Sequence, residues 1–159
     1  MSKPVVPVVI DTNVLVPSLY KQTPILKFIL GGNLALIWNI FIYEEAVEII
    51  HRLSNYYKDR GIASSEMVIE LLDLILDDVY QTPEMPYSWP NTSPDRDDDP
   101  FLFAAIQGSA KYIISSDKRH MLSLKNISGI PLGSPKDFFS WVKIEYPMEN
   151  NNQEFSSSS

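Results

Sequence analysis

The chain has 159 residues, 45% of them hydrophobic and 21% charged, with a net charge of −7, two His and no Cys. Length and composition suit one globular domain with a single sizeable core. They exclude disulfides, thiolate metal sites and an apolar run of about 20 residues able to span a membrane, and the acidic balance argues against a generic nucleic-acid binder with a basic surface.

The opening MSKPVVP carries one Lys and no long apolar stretch, so no secretory signal is expected, and the lack of Cys fits the cytoplasm. Val8, Val9 and Ile10 form a β-branched strand that stops at Asp11-Thr12-Asn13. Val14 to Tyr20 starts as a helix or irregular connection, and Pro17 argues against a long helix there. Thr23-Pro24 is a cap followed by Pro at the first helical position, opening a short helix over 25–30 that Gly31-Gly32 stops. Residues 34–38 (LALIW) are a continuous apolar run, the pattern of a strand buried on both faces.

A helix is expected over 42–60, because Ala46, Ile49, Ile50, Leu53 and Tyr57 recur at helical spacing. Another follows the Ser64-Ser65 cap with an apolar stripe of Val68, Leu71, Leu72, Ile75 and Val79, and the two form an antiparallel hairpin. From Thr82 to Pro100 five Pro and four Asp argue against regular structure, and a loop this long in a compact domain is usually functional. Asp99-Pro100 repeats the cap-plus-Pro signal before an apolar helix over 101–109. Residues 112–116 read as a third core strand ending at Asp117, followed by a short helix over 118–124, an extended piece over 130–132 and a last helix from the Ser134-Pro135 cap through Val142. Residues 1–145 are read as one domain and 146–159 as a polar, low-complexity, disordered tail. Strands alternating with helices imply an α/β fold with a mostly parallel central sheet and helices on both faces.

Asp11 and Asp117 share one local grammar: an apolar strand, then Asp where the chain turns. In a parallel sheet both strand ends point the same way, toward the crevice where such folds bind ligands. Asp99 opens its helix, where an anion is favoured by about 0.3–1 kcal/mol, with Asp98 as the nearest substitute. Glu45 lies near the start of its own helix. Each acid has a plainer alternative: Asp11, Asp99 and Asp117 as caps or turn residues, Asp95, Asp97 and Asp98 as a solvated charge run, and Glu45 as surface beside Glu44 and Glu48. If four carboxylates do converge they cannot all ionise unaided, since two charges ~4 Å apart repel by about 4 kcal/mol at a dielectric near 20. Hard cations with oxygen ligands, Mg²⁺ or Mn²⁺, answer that repulsion where His and Cys are scarce, and such a site supports phosphodiester hydrolysis by activated water without a protein nucleophile.

VVIDTNVLVPSL, FIYEEAVEIIHRL, DRDDDPFLFAAIQGSAKYIISSDKRHML and IPLGSPKDFFSWV, in this order, resemble the blocks of the PIN-domain family, metal-dependent ribonucleases that include the toxins of VapBC-type toxin–antitoxin pairs. The resemblance covers roughly residues 6–142. It implies a three-layer α/β/α sandwich, Mg²⁺ or Mn²⁺, cleavage of single-stranded RNA, an antitoxin partner and a homodimer. Carried over residue by residue, Asp11, Glu45, Asp99 and Asp117 are the catalytic acids, with Asp11, Asp99 and Asp117 on the metal and Asp98 able to replace Asp99 by a one-residue slip. Asn13 and Ser115 support the site by hydrogen bonds, and Lys118, Arg119 and Arg96 are candidates for phosphate contact or ordinary solvated charge. Asn39 stands where the family carries a small polar residue before its Glu, which leaves the helix start open. Two readings compete with an endoribonuclease. One is a catalytically weak or inactive PIN-fold module acting through a protein partner. The other is a receiver-like phosphoacceptor, disfavoured because the first strand ends in a lone Asp rather than an acidic pair.

Overall fold

Val6–Ile10 (β1) is the central strand, and its run of apolar side chains reflects cover on both faces: all but Pro7 are buried. Leu34–Leu36 (β2) pairs parallel with one edge of it and Tyr112–Ile114 (β3) with the other. Beyond β3, Ile130–Gly133 (β5) is again parallel, and Asn126–Ile127 (β4) closes that edge antiparallel to β5, giving the order β2-β1-β3-β5-β4. In this computed structural model the described residues are 5–117 and 121–147.

Among the described residues six α-helices surround the sheet: Thr12–Tyr20 (α1), Pro24–Leu30 (α2), Ile40–Asp59 (α3), Ser65–Ile75 (α4), Asp99–Gln107 (α5) and Pro135–Glu145 (α6). The result is the three-layer α/β/α architecture that the alternation of strands and helices implied. Phe101 to Ala105 are all buried, so α5 is apolar on every side and packs against β1. Each buried Phe or Leu there contributes about 1.5–3 kcal/mol relative to exposure. Among the described residues no helix is long and apolar enough to cross a membrane.

Several boundaries differ from the sequence reading. Residues 12–20 form a full helix despite Pro17, because seven of its nine residues are buried; that burial offsets the roughly 3 kcal/mol an internal Pro costs. β2 stops at Leu36, but Ile37 N–H still donates to Val8 O at 2.9 Å, and Trp38 forms an isolated parallel bridge with Gln81. α3 begins two residues early because Asn39 caps it: its Oδ1 accepts from Ile42 N–H at 3.0 Å. α4 ends at Ile75, so Val79 leaves the expected stripe and is 79% exposed in a 3-10 turn. β4 has no signal beyond Ser128-Gly129, whose φ values of 50° and 82° make the tight turn to β5. Of the helix expected over 118–124, residues 118–120 lie outside the described residues and Leu122–Leu124 is a 3-10 turn. The last helix runs on to Glu145, and the tail from residue 148 also lies outside the described residues.

Candidate active site

The chain leaves β1 for β2 on one side and reaches β3 on the other, so the topological switch point lies between β1 and β3. The register pairs Ile10 with Ile114, which sets the residues after both strands side by side. Asp11 N–H donates to Ile114 O at 2.8 Å, and Ser115 Oγ donates to Asp11 Oδ2 at 2.8 Å. Ser115 Oγ in turn accepts from Asp117 N–H at 3.0 Å, so one buried hydroxyl ties the Asp11 carboxylate to the turn that carries Asp117. Asn13 spans the same two connections, its Oδ1 accepting from Ser116 N–H at 3.3 Å.

Asp11 occupies the N-cap position of α1 but makes no side-chain cap bond there. It is 5% exposed, and burial pushes its pKa above the ordinary value. The Ser115 hydroxyl and the N–H groups of Thr12 and Asn13 favour the charged form, while the charge of Asp117 adds to the upward push. Glu45, on the second turn of α3, is half-buried and also raised, chiefly by burial. Thr12 Oγ1 donates to its Oε2 at 2.8 Å and opposes the shift, whereas the charges of Asp11, Asp97 and Glu48 increase it. Asp11, Glu45 and Asp117 therefore share one electrostatic neighbourhood.

Asp99 is placed differently. It is fully buried, and its carboxylate accepts from Ser93 N–H at 2.8 Å, Thr92 N–H at 3.2 Å and Arg96 Nη1 at 3.0 Å. These bonds turn it into the Pro/Asp loop and fasten that loop to the start of α5. Arg96 also donates to Tyr87 O at 3.3 Å, so its guanidinium is engaged within the same loop. Asp98 is the N-cap residue of α5, partly exposed and without a side-chain cap bond, and Asp95 caps a 3-10 turn through Asp97 N–H. Asp97, exposed, lines an open cleft of about 430 Å³ with Phe41, Glu44, Glu45, Glu48 and Arg52. Lys118 and Arg119 lie outside the described residues.

Three residues matter more than their sequence context announced. Thr12 holds Glu45, Asp97 acts on Glu45 through space, and Asn39 Nδ2 donates to Pro100 O at 3.1 Å, tying the start of α3 to α5. The position of Thr12 beside Asp11 and that of Asn39 ahead of Glu45 were the available signals. The contacts of Asp97 and Asn39 depend on elements far away in the chain.

Among the described residues no three His, Asp or Glu side chains close on one point as a metal cage. The donor set still fits a hard divalent ion in kind. The groups are oxygen donors that raise one another's proton affinity, and Mg²⁺ keeps several waters and needs only one or two carboxylates from the protein.

A family model described as PIN domain matches residues 7–119, a span that holds Asp11, Glu45, Asp97, Asp98, Asp99 and Asp117. No curated protein and no solved structure matches the chain. PIN domains are generally nucleases, so the match supports a nuclease-type function. With well over half of its residues matched, the chain belongs to the PIN-domain family.

Proposed function

We propose that the protein is a metal-dependent endoribonuclease that hydrolyses phosphodiester bonds of single-stranded RNA with Mg²⁺ or Mn²⁺. The observation that carries this reading is the buried Asp11 carboxylate at the switch point, charge-coupled to both Asp117 and Glu45. Asp11 and Asp117 would hold the ion, with waters completing its shell, and when bound it would supply an activated water and charge neutralisation at the phosphate. Ser115 fixes the Asp11 carboxylate and the Asp117 turn, and Thr12 fixes Glu45. The raised pKa of Glu45 suits it to accept a proton from the attacking water. Asp99 is a positioning residue that anchors the loop carrying Asp97 toward Glu45.

The setting is the cytoplasm, with a small antitoxin protein and a homodimer as the partners that a VapBC-type toxin takes. The test is cleavage of single-stranded RNA by the purified chain in Mn²⁺. Activity that is lost on chelation and in the Asp11→Asn/Asp117→Asn double variant is the expected result. Activity that survives both overturns the mechanism. Metal binding by calorimetry with no cleavage of any RNA favours the alternative, an inactive module that works through a partner.

A further inference from the structure

Helices α2, α4 and α6 are capped by the hydroxyls of Thr23, Ser64 and Ser134, through bonds made within three residues. Asn39 caps α3 differently. Its Oδ1 accepts from Ile42 N–H at 3.0 Å, while its Nδ2 donates to Pro100 O at 3.1 Å, 61 positions away. A cap needs only the oxygen, which Ser or Thr supplies equally well. The nitrogen does something else, and it does so inside the protein, because Asn39 is fully buried.

The two ends of this amide lead to two acids that line one cleft. On one side α3 carries Glu45 on its second turn, where Thr12 Oγ1 donates to the carboxylate at 2.8 Å. On the other, Pro100 follows Asp99, whose bonds to Thr92, Ser93 and Arg96 fasten the loop that carries Asp97. Glu45 and Asp97 both line the open cleft of about 430 Å³, and the charge of Asp97 reaches Glu45. At the same junction Phe41 meets Phe101 edge-on, with ring centroids 6.1 Å apart. Apolar burial is non-directional and tolerates sliding, whereas a hydrogen bond weakens steeply with angle. The amide therefore sets the register of α3 on α5, and the rings supply cohesion.

We infer that Asn39 is a positioning residue for the hydrolysis: one buried amide joins α3 to the start of α5 and so fixes the Glu45 carboxylate relative to Asp97 and Asp11. The inference rests on the nuclease reading above and deepens it. Asn39 does for Glu45 what Ser115 does for Asp11 and Asp117. Glu45 must meet the attacking water at hydrogen-bond distance, and a misplacement of about 1 Å costs up to about a hundredfold in rate.

The test uses the full chain and three substitutions. Asn39→Ser and Asn39→Thr keep a capping hydroxyl that ends one bond short of the amide nitrogen; Asn39→Ala removes cap and tie together. Cleavage of single-stranded RNA in Mn²⁺, well below each melting temperature, gives kcat and KM, and calorimetry gives the Mn²⁺ affinity. The kcat should fall at least about tenfold in all three, with KM and Mn²⁺ affinity unchanged within about twofold. Melting temperature should separate them the other way, falling furthest in Asn39→Ala, so that kcat does not follow stability. The joint itself is read without activity. The chain has no Cys, so cysteines placed at exposed His51 on α3 and Gln107 on α5 carry a pair of spin labels. Pulsed spin resonance should give a broader distance distribution in Asn39→Ser and Asn39→Thr than in the labelled parent. A kcat that is unchanged in Asn39→Ser and Asn39→Thr, or that follows melting temperature across the three, overturns the positioning role and leaves the nuclease standing. If the parent cleaves no RNA, the nuclease reading falls and the label distances decide the joint alone: broadening upholds it and unchanged widths overturn it.

Discussion

Ser115 Oγ donates to Asp11 Oδ2 at 2.8 Å across 104 positions of sequence, and the same oxygen accepts from Asp117 N–H at 3.0 Å. One hydroxyl thus sets the distance between the two strand-terminal acids. Ser115→Ala should cost about 1–3 kcal/mol, the typical penalty for stripping a partner from a buried polar group. It should also reduce nuclease activity more than stability accounts for, because Asp11 and the Asp117 turn lose their common anchor. Denaturant melts and single-turnover cleavage on the same preparation check it. Full activity at reduced stability would mean that Ser115 only holds the fold.

Asp11 carries a stability cost that depends on pH. Its folded pKa lies above the ordinary value of 3.8 because it is buried. The folded state therefore keeps the Asp11 proton over a range in which the unfolded chain has released it. Stability from this group is complete below about 3.8 and declines as pH rises through the folded pKa. In chelator near neutral pH, Asp11→Asn should then melt at a higher temperature than the parent chain. Added Mn²⁺ should raise the parent's melting temperature and leave Asp11→Asn unmoved, because the ion offsets the buried charge only where the charge exists. A lower melting temperature for Asp11→Asn in chelator contradicts this account.

Asp99 and Asp97 sit two residues apart and should behave oppositely. Removing the Asp99 carboxylate leaves Arg96 and two loop N–H groups without their acceptor. Asp99→Ala should therefore destabilise by about 3 kcal/mol, the low end for breaking a buried pair, since 35% of the Arg96 side chain reaches solvent. Asp97 is exposed, so Asp97→Asn should leave the melting temperature within about 1 °C. Its effect should appear at Glu45, whose pKa it helps raise; the limb of the pH–rate profile that reports Glu45 should move to lower pH. A stable Asp99→Ala would show that the loop is held by other contacts.

Gly133 lies at the end of β5 against the Tyr112 ring, and a Cβ there would collide with the Tyr112 hydroxyl oxygen and sit 2.8 Å from the Asp137 Cβ. Gly133→Ala should destabilise by about 1–3 kcal/mol through overpacking. Burial, with the charge of Asp137 behind it, pushes the Tyr112 phenol up to about 12. Tyr112 should thus stay protonated in the fold while unfolded tyrosines ionise near 10, so this group's stabilising contribution fades between about pH 10 and 12. Ultraviolet titration, native against denaturant-unfolded, reads it directly, and a tyrosine spectrum titrating fully near 10 in the native protein excludes it.

The strands and most helices were legible because their signals are local. Val8, Val9 and Ile10 read as a two-face-buried strand because they are one, and Thr23, Ser64 and Ser134 cap helices through bonds made within three residues. Errors fell where a distant contact outweighs a local rule. Pro17 stays inside a helix because tertiary burial holds it there, whereas Val79 drops out of its stripe for a local reason: Asp77 accepts from its N–H and starts a new turn. The two-residue strand β4 exists only because β5 offers it an edge.

The same division runs through the site. The sequence by itself determined that Asp11 and Asp117 each follow a core strand, because the end of an apolar run is a local property of the chain. Only the tertiary structure decided that these strands are neighbours, that Thr12 rather than the backbone restrains Glu45, and that Asp97 faces Glu45 while Asp99 turns into the loop. Three successive aspartates carry the same chemistry, so composition cannot rank them. Which one is buried against Arg96 and which one lines the cleft beside Glu45 follows from the path of the loop between Pro94 and Pro100, and that path is held by the bonds of Asp99 to Thr92, Ser93 and Arg96 and by packing of the 96–98 turn on α5.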